Sequence, residues 1–386
     1  MRGGLPGYGG AMARMVGLEE ELLLVDPATR EVVPASPRVL KAFREHGPGA
    51  AASGATAALE QELFRHQLET RTDPTRDAGD ALAQLVAARR TAGEAAQAAG
   101  LTIAACGIVP LGGDQAVVSP DDRYRDMVET YGDIARTGGT CGMHVHVEIA
   151  SDREGVAVID RIAPWLPSLL ALSANSPFAG GHDTGYASWR AQVWSRWPSA
   201  GPTERFGSVE GYRDVSRTML ASGAARDSGM LYFDARLSVG QPTVEVRVCD
   251  VCTEPERAVA VAALVRGLVE TAAREADGPE PAWRAEELRA AHWRAARYGT
   301  ADRLVHPASR ELRPAREVIE ALVQTVRPAL EDAGDLERVT TAVARAVPDS
   351  GAARQRAAFE RSRTVAGVVD DLVARTEASW HAPELP

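Results

Sequence analysis

Three short stretches place carboxylates, imidazoles and an arginine two residues apart. Val16–Val25 carries Glu19 and Glu21, Thr140–Ile149 carries His144, His146 and Glu148, and Thr243–Asp250 carries Glu245 and Arg247. In a β-strand, residues i and i+2 point to the same side of the sheet. Each stretch therefore shows one chemical face. The opposite face of the last two is apolar (Met143, Val145 and Val147; Val244, Val246 and Val248), and Glu20 points away from its neighbours. A wet sheet face would satisfy the same alternation, but these residues are not the Lys, Thr and Ser of such a face. Carboxylate oxygens suit hard Mg²⁺, whose shell is usually shared with water and substrate phosphate. His144-x-His146 on its own suits zinc or another transition metal equally well.

A further carboxylate pair, Glu62 and Glu69, lies in Ala58–Arg71. Seven residues apart, the two have opposite strand parity, so a bend or bulge is needed for both to reach one site.

Elements that could position these groups follow from pattern and punctuation. Strands are expected at Val16–Val25, Leu101–Val109, Thr140–Ile149 and Thr243–Asp250, each rich in Val, Ile or Leu and bounded by Gly, Pro or Asp. Asp77–Ala99 reads as an Ala-rich helix stopped by Gly100. Ser151 and Glu154 resemble a capping box opening a helix that Pro164 should end, and Glu254–Ala276 reads as a helix with Pro255 in its first turn. From about Trp283 onward the pattern is almost wholly helical, with breaks at Pro307 and Pro314. Pro177–Gly211 has Pro, Gly, Ser and aromatics without periodicity, and reads as a long ordered loop. Residues 1–15 are expected as a flexible leader and 16–380 as one catalytic domain, with about 283–380 its helical layer.

With 45% hydrophobic and 25% charged residues in 386, the chain has the balance of a soluble globular protein. Lys+Arg 43 against Asp+Glu 53 gives a net charge of −10, which argues against a general nucleic-acid surface. No run approaches ~18 uninterrupted apolar residues, so no membrane span is expected. Cys106, Cys141, Cys249 and Cys252 are too few and scattered for a disulfide framework, and Cys249-x-x-Cys252 lacks a second pair for zinc; reduced thiols in the cytoplasm are expected.

In order along the chain, VGLEEELLLVDP from Val16, CGMHVHVEI from Cys141, LLALSANSPFAGGHDTGYASWR from Leu169, LYFDARLS from Leu231, TVEVRVCDV from Thr243 and AAHWRAARYG from Ala290 resemble the glutamate–cysteine ligase type 2, or carboxylate–amine ligase, family. The resemblance implies an α+β, glutamine-synthetase-like fold, with a curved, mainly antiparallel sheet and helices on its convex side. It implies ATP with two or three Mg²⁺ ions (Mn²⁺ a substitute), and small-molecule partners: glutamate and an amine, with cysteine the family's named acceptor and a specialised biosynthetic amine the alternative. The implied reaction makes a γ-glutamyl amide through γ-glutamyl phosphate, and a homodimer is left open. Residue by residue, it implies Glu19, Glu21, Glu62, Glu69, His144 and Glu245 as metal ligands. Arg247 would clamp phosphate or glutamyl phosphate, Arg190 and Arg236 would lie on the substrate side, with Arg190 gating or holding glutamate or the phosphoryl, and His146 would contact nucleotide or substrate. The competing reading is that Arg190 and Arg236 only tie the long loop to the sheet.

Glu148 stands where many relatives carry a small residue, and Phe233 and Leu237 where relatives often have Trp and Pro, which leaves the amine open. Trp189, Trp194 and Trp197 read as packing under the loop, with substrate stacking the alternative, and Asn175 as a helix cap or a ligand contact. Two other functions compete: a zinc-type hydrolase on His144 and His146, and a nucleotide-binding regulator without turnover.

Overall fold

The computed structural model describes residues 13–46, 59–112, 117–137, 139–276, 278 and 282–381. Of the expected leader, residues 1–12 lie outside this range. Arg14 is held in place by ion pairs to Glu154 and Glu270.

The site is carried by one antiparallel sheet of seven strands: β1 (Val16–Val25), β2 (Leu59–Gln61), β3 (Gln67–Arg71), β4 (Thr102–Ala104), β5 (Gly142–Glu148), β6 (Ala235–Leu237) and β7 (Thr243–Asp250). Their order is β2-β3-β1-β5-β7-β6, with β4 also paired to β1. The register sets Glu21 opposite Glu69, Glu19 opposite both Arg71 and His144, and His146 opposite Glu245, which faces Arg236 in turn. The charged residues of five strands thus fall on one face, and a register shift between Met143 and Val145 loosens the β5–β7 pairing beside His144.

The opposite face is apolar and dry. Leu18, Met143, Val145, Val147, Val244, Val246 and Val248 join Leu85 of helix Ala78–Ala98 and Val261, Leu264 and Val265 of helix Pro255–Arg274 in one core. Glu20 also points there. Its carboxylate pairs through both oxygens with Arg89, at 2.7 and 2.8 Å, and neither residue has solvent exposure.

Several sequence expectations need correction. Leu101–Val109 is strand only at Thr102–Ala104, because beyond it the Ala105 and Gly107 N–H groups donate to Thr376 and Asn175 instead of a strand partner. The α-helix opened by Ser151 ends at Ile162, just ahead of Pro164 as expected, but the chain does not leave helical conformation there. Pro164 sits in the first turn of a 3₁₀ segment, Ala163–Trp165, where no N–H is required, and a further helix runs to Ser173. Asp152–Ser173 is consequently long and apolar enough to cross a membrane, yet 83% of its apolar window is buried in this fold. The expected loop Pro177–Gly211 holds a short helix, Trp189–Trp194, capped by Ser188, and the start of another, Val209–Ala221, capped by Ser208. Helix Ala78–Ala98 is capped by Asp77, and Gly100 follows it at φ 72°.

Candidate active site

A cavity of about 780 Å³ opens over the charged face of the sheet, within the range of small-molecule sites. Glu19, Glu21, Glu62, Glu69, His144, His146, Arg236, Glu245 and Arg247 all line it. Nine of the ten site residues expected from the sequence are therefore brought together.

Glu21, Glu62 and Glu69 form one carboxylate set whose oxygens lie within 4.8 Å of one another. Glu62 stands in the turn between the end of β2 and the start of β3, which supplies the bend its spacing from Glu69 required. Burial and the charge on Glu62 push Glu21 up to about 8 and Glu69 well above the usual carboxylate range. Such crowding favours a divalent cation, which relieves repulsion that protons otherwise relieve.

Glu19, His146 and Glu245 form a second set by the same distance criterion. The buried Nε2 of His146 has no hydrogen-bond partner and lies 3.4 Å from Glu19. Its Nδ1 meets the hydroxyls of Ser238 and Thr243 at 3.1 and 3.3 Å, and these hydroxyls bond each other. The ring is thus oriented from behind with Nε2 directed at the carboxylates, as metal-ligating histidines usually are.

His144, expected as the metal imidazole, lies deeper. Its Nδ1 is 3.2 Å from Glu19 and 3.5 Å from Arg247. Burial, then the charge of Arg247, lowers it to about 4, so it is a neutral ring. Burial opposes ionisation of Glu19, but the two imidazoles outweigh it and hold Glu19 well below the usual range. Both imidazoles thus stand beside Glu19: His146 falls in the second set, and His144 lies 3.2 Å from Glu19 and 3.9 Å from Glu245.

Glu245 takes two arginines. Arg236 bonds it at 2.7 and 3.2 Å, and Arg247 bonds it as well. Burial works against its charge, but Arg247 and Arg236 keep it ionised. Arg236 is further tied to the carbonyls of Ser228, Gly229 and Leu231. Arg247 retains an unpartnered buried Nε.

Arg190 is the exception among the ten. It is buried outside the cavity lining, and its guanidinium donates to the carbonyls of Arg247 and Val248. The structure gives it a fastening part, joining the Trp189–Trp194 helix to β7. Asp250 fixes the same segment by accepting from Asn175, Ser176 and Ser188. Asn175 neither caps a helix nor reaches the cavity, since its amide donates to Ala105, Val251 and Thr253. Glu148 does not line the cavity; its carboxylate accepts from the Met15 N–H and the Arg76 guanidinium. Phe233 packs against Phe206 and Tyr212. The four cysteines are buried and free.

Sequence reasoning missed Arg71, Arg123, Tyr124, Tyr232, Ser238 and Thr243, all of which line the cavity. Arg71 shares strand parity with Glu69, a usable signal. Tyr124 and Arg123 come from helix Asp122–Tyr131, whose sequence carries no sign of the site. Trp194 and Trp197 line the cavity as well, whereas Trp189 does not.

Residues 15–375 match the family described as glutamate-cysteine ligase family 2. A protein of Nocardioides sp. named "Putative glutamate–cysteine ligase 2-1" is 73% identical, covering 96% of this chain and 97% of its own. One of Streptomyces coelicolor, named "Putative glutamate–cysteine ligase 2", is 46% identical over 95% of this chain and the whole of its own. Among solved structures, a Francisella tularensis glutamate–cysteine ligase in complex with AMP superposes with TM-score 0.68 at 13% identity, covering 97% of this chain and 90% of that one. A bifunctional glutathione synthetase of Pasteurella multocida gives 0.66 at 15% identity, covering 96% of this chain and 53% of that one. These likenesses match the α+β architecture expected from the sequence. With the family match running over nearly the whole chain and a relative this similar end to end, the chain belongs to the glutamate–cysteine ligase family 2 and is an ATP-dependent ligase.

Proposed function

We propose that the protein joins the γ-carboxylate of glutamate to an amine, at the expense of ATP, through γ-glutamyl phosphate. The observation that carries this reading is the pair of carboxylate sets, Glu21/Glu62/Glu69 and Glu19/His146/Glu245, sharing one cavity with Arg247. Both sets fit Mg²⁺, with Mn²⁺ as a substitute, since they are oxygen-rich and one holds an imidazole nitrogen without a partner. When bound there, the cations would neutralise triphosphate charge and orient the phosphoryl group for transfer.

The remaining steps belong to this chain and its substrates. The γ-carboxylate oxygen of glutamate attacks the γ-phosphorus; an O–P bond forms, the bond to the β-phosphate oxygen breaks, and ADP leaves. The amine nitrogen then attacks the γ-carbonyl carbon. A C–N bond forms, the C–O bond to phosphate breaks, inorganic phosphate leaves, and the surplus N–H proton passes to water. Arg247, with its free Nε beside the Glu245 pair, offers a planar fork to the oxyanion of the transferred group. Arg236 holds Glu245, and His144 holds Glu19, so the Glu19/His146/Glu245 set does not depend on flexible side chains. Arg190 acts at one remove by fixing β7.

The zinc-hydrolase reading has less support: both imidazoles approach Glu19, but each set found among the described residues has at most one imidazole and one set is carboxylate alone. Purified protein given ATP, Mg²⁺, glutamate and a panel of amines should release phosphate and yield a product of γ-glutamyl amide mass. ATP consumption that ignores glutamate, with no such product from any amine, would sink the reading.

A further inference from the structure

One wall of the cavity has no part in the phosphoryl chemistry. Trp194 comes from the helix Trp189–Trp194, Trp197 from the turn after it, and Tyr232 from the segment ahead of β6. The rings form one unit: Tyr232 lies 4.7 Å from Trp194 and 5.5 Å from Trp197, centroid to centroid. Tyr131 backs Trp197 edge-on at 5.2 Å. Trp197 and Tyr232 are buried, and Trp194 is half-buried at the cavity. The wall is therefore braced from behind and presents a faceted apolar surface inward, its rings inclined by 47–78° to one another.

Its position narrows what it can serve. The Arg247 guanidinium carbon is 6.0 Å from the Trp194 ring and 5.7 Å from the Tyr232 ring. The wall begins where the phosphoryl clamp ends. Adenine does not fit there, since two phosphoryl groups and a ribose separate the base from the phosphorus being transferred. Glutamate brings two carboxylates and a short aliphatic chain, with nothing flat to stack. The remaining occupant of space beside an activated γ-carboxyl is the amine that attacks it. Cysteine, with one CH₂SH, would leave most of the wall uncovered. A ring buries about 150–250 Å² and stacks against Trp and Tyr in offset or edge-on geometry.

We propose that Trp194, Trp197 and Tyr232 form the acceptor subsite, and that the acceptor is an amine bearing an aromatic ring instead of cysteine. The inference rests on the ligase reading above. It adds the class of the second substrate, whose nitrogen forms the C–N bond as phosphate leaves.

The test compares kcat/KM for 2-phenylethylamine, L-phenylalanine, isobutylamine and cysteine, with hydroxylamine as a small nucleophile that needs no wall. At least one ring-bearing amine should exceed both isobutylamine and cysteine by roughly tenfold or more. Trp194→Ala should bring that ratio towards one, chiefly through KM, while Trp194→Phe keeps it. Reading the ratio within each variant cancels any general loss of activity. Should Trp194→Ala not fold, Tyr232→Leu reads the same ratio. A wild type that forms γ-glutamyl hydroxamate but prefers cysteine, or a ratio unmoved in the folded variants, overturns this inference alone. No hydroxamate from the wild type overturns the ligase reading and this inference with it.

Discussion

Replacing Glu20 by Ala should cost stability without touching the site, although Glu20 stands between two residues of that site. Its carboxylate is fully buried on the core side of the sheet, bonded through both oxygens to Arg89, itself fully buried. Arg89 also donates to the carbonyls of Cys252 and Thr253 at 2.6 Å. Removing the carboxylate leaves a guanidinium in the core with those two bonds and no counter-charge. Breaking a buried pair from one side costs about 3–5 kcal/mol, a large share of a typical stability of about 5–15 kcal/mol. The double replacement Glu20→Met/Arg89→Met should recover part of the loss, because apolar side chains of similar volume carry no desolvation cost, while the Cys252 and Thr253 carbonyls lose their Arg89 donor. Glu21→Gln is the matched control. It removes one of three crowded carboxylates, and its amide oxygen can still accept the Gly142 N–H, so stability should not fall. Urea unfolding followed by circular dichroism and fluorescence reads all four proteins, provided the two transitions coincide. A Glu20→Ala protein as stable as wild type, or Glu21→Gln equally destabilised, refutes the assignment of these neighbours to opposite faces.

Three other outcomes follow from named contacts. Glu245→Gln should lower glutamate-dependent phosphate release by at least about 100-fold. It should also lower the unfolding midpoint, because Arg236 and Arg247 lose the carboxylate they share; a rate within twofold of wild type removes Glu245 from the machinery. His66 is buried with an unpartnered Nε2, and burial lowers it to about 4. An imidazole in the unfolded chain binds its proton near pH 6.5. Stability is therefore full above that pH and falls as pH drops towards 4, by up to about 3 kcal/mol. Urea titrations at pH 7.5 and 5 should show a smaller difference for His66→Phe than for wild type; equal differences place the acid sensitivity elsewhere. Mg²⁺ at 100 times its dissociation constant should stabilise the protein by about 2.7 kcal/mol, read as a rise in Tm. The double variant Glu62→Gln/Glu69→Gln should lose most of the rise, and an undiminished rise would place the cation elsewhere.

Strand alternation made most of the site legible, because a period of two assigns faces without any knowledge of the sheet. It placed Glu19, Glu21, His146, Glu245 and Arg247 on one side and sent Glu20 to the other, as the register bears out. It could not rank the two imidazoles, since both share a face. Which of them meets the ligand set depends on the Ser238 and Thr243 hydroxyls, brought to His146 by long-range pairing. Arg190 could not be decided between substrate contact and fastening for the same reason: a residue in a loop of unknown path carries no facing information, and its partners are backbone carbonyls that no sequence pattern marks. Trp194 was read as packing material, which its neighbours Tyr232 and Trp197 support. Only the cavity shows that its other side is open. The α-helix stops ahead of Pro164 as expected, but its continuation through a 3₁₀ turn into Leu166–Ser173 was missed, because proline at a first turn and proline as a stop look alike in sequence.

The central claim is that a carboxylate of glutamate attacks the γ-phosphorus of ATP within this cavity. Glutamate labelled with ¹⁸O in its γ-carboxylate, turned over with ATP, Mg²⁺ and an accepted amine, tests it by mass spectrometry of the released phosphate. The account predicts one labelled oxygen in each phosphate, carried across when the C–O bond breaks. Phosphate free of label, released while amide accumulates, would contradict it.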